Sequence, residues 1–124
     1  MKRLLAIALL ATLAGCHGSS GPSAANSVYA ITNAYAAAQT IAIQYVALPR
    51  CAPAAPVVCS QQGTVNAIRV ANSDASITLA AAQKTVLDPA ASSSVTAAAV
   101  VAATNAVQAL QQITDGVKPV VGAK

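Results

Sequence analysis

The chain contains no glutamate, tryptophan or phenylalanine, and its acidic side chains number three, Asp74, Asp88 and Asp115. Its only histidine is His17. An enzyme needs a nucleophile with a base, a pair of carboxylates, or a metal. With one histidine and three scattered aspartates, none of these is easily built. There is no Gly-x-Ser-x-Gly, no Ser-x-x-Lys and no phosphate-binding loop. Ser92-Ser93-Ser94 has no base near it and reads as a helix start. The expectation is a protein that is not an enzyme, with no cofactor and no metal. Basic residues are also few: Arg50, Arg69, Lys84, Lys118 and Lys124 are dispersed, with no aromatic residues interleaved, which argues against a nucleic-acid partner. The aromatics are limited to Tyr29, Tyr35 and Tyr45, so any core must be thin. What the chain does have is alanine, a strong helix former with little surface to bury. Its mean hydropathy of +0.59 therefore reflects helix-forming content and not membrane immersion.

The first sixteen residues carry the most specific signal. Lys2 and Arg3 precede an apolar run over residues 4–13 that is interrupted only by Thr12. A hydrocarbon core takes about 20 residues to span as a helix. This shorter run fits the apolar region of a secretory signal. Leu13-Ala14-Gly15-Cys16 follows and resembles the lipobox of bacterial lipoproteins at all four positions. The resemblance implies a diacylglycerol thioether on Cys16, cleavage between Gly15 and Cys16, and acylation of the new amine. Such an anchor is durable, because each buried methylene contributes about 0.8 kcal/mol and more than one chain is present. His17, where retention signals of the inner membrane place Asp, points to the outer membrane facing the periplasm. Removing the first 15 of 124 residues leaves 109, enough for one small domain. The formal net charge of +4 falls to about +2 once Lys2 and Arg3 are gone. Residues 16–23, rich in Gly and Ser, read as a flexible tether.

If Cys16 is lipidated, Cys51 and Cys59 remain as an even pair in an oxidising compartment, and a disulfide between them is expected. A metal site in their place lacks ligands, since the spacing is not Cys-x-x-Cys and His17 sits beside the lipid.

Helical periodicity organises the rest. Residues 24–48 carry no charge, glycine or proline; Val28, Ile31, Tyr35, Ala38, Ala42 and Tyr45 share one face, with Asn26, Asn33, Thr40 and Gln44 opposite. Ser23 is the expected N-cap. A membrane span here would place Asn26, Asn33, Gln39 and Gln44 in hydrocarbon at high cost. Pro49, Pro53 and Pro56 exclude a helix from the segment between the helices. A second helix is expected over 62–87, opened by Ser60 or Gly63-Thr64, with Val65, Ile68, Ala75, Leu79, Ala82 and Val86 inward and Arg69, Ser73 and Lys84 outward. Asn72 lies beside the apolar face and is expected to hydrogen-bond across a helix interface. Asp88-Pro89 reads as a cap and first turn. A third helix then runs over 89–114, with Val100, Ala103, Val107 and Leu110 inward and Thr104, Asn105, Gln108 and Gln112 outward. Asp115-Gly116 is the expected stop, and residues 116–124 are expected to form a flexible tail. The fold class is thus all-α, a small antiparallel three-helix bundle over 24–115 with a disulfide-stapled loop.

Leu48-Pro49-Arg50-Cys51, a Pro- and Ala-rich loop and Cys59, preceded by Gln44-Tyr45 and followed by a polar helix, is similar to an uncharacterised family of small alphaproteobacterial and prophage-encoded lipoproteins over residues 28–84. That resemblance implies a helical lipoprotein without an assigned activity. This chain departs from it in carrying only Arg69, Asp74 and Lys84 as charges in the helix after Cys59. Three functions are consistent with these residues. The first is a membrane-anchored structural or interaction module that meets a protein partner, or a second copy of itself, through alanine-rich helix faces. The second is a phage-related envelope lipoprotein acting in lysis, as an outer-membrane spanin subunit does, or in superinfection exclusion. The third is a small holin-like membrane protein.

Overall fold

A computed structural model describes residues 23–54 and 57–122. Three helices follow one another: α1 (Ala24–Val46), α2 (Gln62–Leu87) and α3 (Ser93–Val121). Ser23 caps α1, its Oγ accepting from the Asn26 amide at 3.3 Å. The helix ends just before Leu48-Pro49, since the residue ahead of a proline is pushed out of the helical region.

The polypeptide goes up, down and up. Cross-helix hydrogen bonds place Thr32 beside Gln83, Tyr35 beside Asn72 and Tyr45 beside Gln61, so α2 runs antiparallel to α1. Ala24 and Ser27 share a shallow groove with Ser93 and Thr96, and Ala30 and Ala34 share another with Thr104 and Gln111, so α1 and α3 run parallel. The all-α bundle and its stapled loop are therefore as expected. α3 packs on both other helices more extensively than they pack on each other. The principal core joins Ala38, Ala42, Tyr45 and Leu48 to Val65, Ile68, Val107, Leu110 and Val117. A smaller cluster of Val28, Leu79, Ala82 and Ala103 fills the end nearest the start of α1. Small side chains on all three helices allow this close approach.

Three boundaries differ from expectation. Ser60 does not cap α2: it is fully buried and its hydroxyl is used elsewhere, while Gln61 takes the cap position without a side-chain bond. Pro89 does not open α3. Asp88 Oδ1 accepts from the Ala90 amide at 2.9 Å, and the Ala91 amide bonds to the Asp88 carbonyl at 3.1 Å, closing a turn. The cap falls to Ser92, whose Oγ accepts from the Val95 amide at 3.3 Å. Finally, α3 runs seven residues past its expected end at residue 114, to Val121. Gly116 adopts helical backbone and stops nothing, because Thr114 and Val117 are buried and Val120 and Val121 pack on the core. Residues 116–121, expected as a tail, are helix. Pro119 lies in the final turns, where its missing N–H removes one bond of the ladder.

Candidate functional site

The loop between α1 and α2 gathers a disulfide and several hydrogen bonds outside the helices. Cys51 and Cys59 are joined by a disulfide across 5.0 Å between Cα atoms, as expected. The bond closes a loop within itself and does not link two helices. Next to it, the Ser60 amide donates to the Pro49 carbonyl at 2.8 Å and the Cys51 amide to the Ser60 carbonyl at 3.1 Å. The buried Ser60 hydroxyl lies 3.1 Å from the Leu48 carbonyl, to which it donates, and accepts from Arg50 Nη1 at 3.4 Å. The Tyr45 hydroxyl reaches over to accept the Gln61 amide at 3.0 Å. That amide stands at the start of α2, where backbone donors have no partner within the helix. Loop and helix entry are therefore held by a crosslink, one buried hydroxyl and one phenol. Arg50, Ser60 and Tyr45 were not singled out for this in the sequence. A buried serine beside a cysteine leaves no periodic trace.

A second polar group crosses the α1–α2 interface. The Tyr35 hydroxyl donates to Asn72 Oδ1 at 3.1 Å and accepts from Gln39 Nε2 at 3.2 Å, which is the cross-helix role expected of Asn72. Beside this network the two helices leave an open groove of about 360 Å³, floored by Ala42, Val46 and Ile68 and edged by Ile43, Gln39 and Arg69.

The three carboxylates are far apart in role. Asp74 is exposed on α2 and Asp88 closes the turn described above. Asp115 pairs with Lys118 one turn on, at 2.6 Å and in solvent. Exposed pairs of this kind contribute little to stability. Among the described residues no group of three His, Cys, Asp or Glu side chains is placed to hold a metal. Cys16 and His17 lie outside the described residues.

Several large apolar side chains stand in solvent. Tyr29, Leu87, Val95 and Val101 are exposed around the end where α1 and α3 begin, Val70 and Ile77 lie along α2, and Val57 tips the disulfide loop. α3 is long and apolar enough to cross a membrane by length and composition, with only 22% of its most hydrophobic window buried in the bundle. Comparisons with protein families, with curated proteins and with solved structures find no match to this chain.

Proposed function

We propose that this protein is a lipid-anchored module of the bacterial envelope, held through Cys16 and acting by contact and not by catalysis. The observation that carries this reading is Leu13-Ala14-Gly15-Cys16, in register behind a cationic start and a short apolar run. The disulfide supports it, because such bonds persist in oxidising compartments. So does the position of the first helix, which starts at Ala24 and leaves a short Gly- and Ser-rich stretch after Cys16. Metabolic labelling with palmitate tests the anchor: the chain takes up label, Cys16→Ala abolishes it, and a chain that stays unlabelled with its leader attached refutes the assignment. Within this reading the exposed apolar side chains of the α2 flank, Val70 and Ile77, are the contact surface toward a protein partner or a second copy.

A second reading, a holin-like protein, draws on the apolar character of α3. Against it stands the seating of Ala103, Val107 and Leu110 of that helix on α1 and α2. Carbonate extraction of the Cys16→Ala chain tests the pore: release into the supernatant removes that reading. The phage-related role implied by the family resemblance is tested by gene neighbourhood, where a spanin subunit requires an overlapping gene for an inner-membrane partner.

A further inference from the structure

Cys16 and the start of α1 are separated by residues 17–23, a stretch of sequence too short to span more than about 25 Å even when fully extended. The bundle is longer than that: α2, with 26 residues, measures about 39 Å. A lipid on Cys16 therefore holds one particular end of the molecule at the bilayer. That end is made of the first turn of α1, the last turn of α2, the turn over 88–92 and the first turns of α3. Apolar side chains stand in solvent there, as some do elsewhere on the molecule: Leu87 is 81% exposed, Tyr29 69% and Val95 55%. Lys84 is exposed nearby, and Asp88, the one carboxylate at this end, turns an oxygen back onto the Ala90 amide.

We propose that the bundle docks end-on against the lipid surface, with Leu87, Pro89, Val95 and Tyr29 entering the interfacial layer. This deepens the reading above and rests on acylation of Cys16. A few apolar side chains bind a bilayer weakly when free, but a short tether presents them at an effective concentration of millimolar order, which converts weak contact into standing occupancy. The contact is a lipid interface and not a second protein, because the tether brings this end to lipid at all times. The competing flank on α2, with Val70 and Ile77, lies further from the tether. Docking in this way sets the disulfide loop and the end of α3 outward from the membrane.

The absence of native tryptophan makes the test direct. The full chain is produced in a Gram-negative host, recovered from the envelope in detergent and reconstituted in phosphatidylethanolamine–phosphatidylglycerol vesicles carrying brominated acyl chains. Two variants are compared, Leu87→Trp at the proposed contact and Val57→Trp at the opposite end, both at exposed positions where a larger side chain meets solvent. Intact mass reports whether Cys16 carries lipid. With Cys16 acylated, several-fold deeper quenching of Leu87→Trp than of Val57→Trp supports docking. Equal or reversed quenching overturns it and leaves the anchor standing. Emission from Leu87→Trp that shifts to the blue but is untouched by bromine means another protein covers this end, and overturns it likewise. An unmodified Cys16 overturns the anchor, and the docking with it.

Discussion

Tyr45 is the one aromatic ring buried outright, with Tyr35 half-buried against the core, and it serves the backbone as well, since its hydroxyl accepts the Gln61 amide that opens α2. Tyr45→Phe keeps the packing and strips that amide of its partner, at about 1 kcal/mol, read as a lower denaturation midpoint with unchanged helicity. Leu110 is fully buried in a core rich in alanine and valine, so Leu110→Ala should cost about 3 kcal/mol. Chemical denaturation with an unchanged slope checks it. At this scale the sequence was readable where a residue obeyed a period. The inward sets of all three helices lie inside or half-inside, and Asn72 bonds across to Tyr35. It was not readable for Ser60, whose burial follows from the path of a non-repeating loop.

Between residues and the molecule stand the helix ends, where the expectations failed in an instructive way. Asp88-Pro89 and Ser92 both carry cap chemistry, and local sequence alone does not choose between them. Asp88 closes a turn and Ser92 caps α3, so Ser92→Ala should cost about 1 kcal/mol of stability. Asp115-Gly116 has the composition of a stop, but a stop needs left-handed backbone at the glycine. Here the helix continues, because Leu110, Thr114, Val117 and Val121 extend the inward spacing of three and four residues. That continuation was present in the sequence and was outweighed by the Asp-Gly pair. A Cβ at Gly116 meets nothing within 4 Å, so Gly116→Ala should stabilise the protein by roughly 0.5–1 kcal/mol. A terminating glycine would give the opposite sign, and thermal melting of this one variant separates the alternatives. The disulfide loop belongs to this scale too. Replacing Cys51 and Cys59 together by alanine removes a closure that contributes about 2.5 kcal/mol on the chain-entropy model. The circular-dichroism spectrum should stay helical with a melting point lower by on the order of 10 °C, since the Ser60 and Tyr45 hydrogen bonds still tie the loop.

The whole molecule joins a thin core to an apolar surface, and both follow from its alanine content. Alanine builds helices and lets them approach, but it leaves few large side chains to bury, and several that exist, such as Leu87 and Ile77, stand in solvent. On the proposed lipid anchoring, a chain made without its leader and Cys16 is expected to fold as a helical domain that does not float with membranes, measured by flotation and circular dichroism together. The general architecture was legible because three long amphipathic stretches and one proline-rich gap admit few other arrangements. The contact we propose was not, since a surface that meets a membrane or a partner has the same spacing as one that faces water.

An odd number of helices has a geometric consequence. A chain that enters this bundle at Ser23 must leave it at the far side, and α3, with 29 residues, carries Gly122 about 43 Å along the axis. Whatever grips the first residue and whatever meets the last are thus kept apart by the full height of the fold. A pull between them loads α1 and α3 in shear along their length, while the sulfur bridge, tied only to its own loop, carries none of the strain.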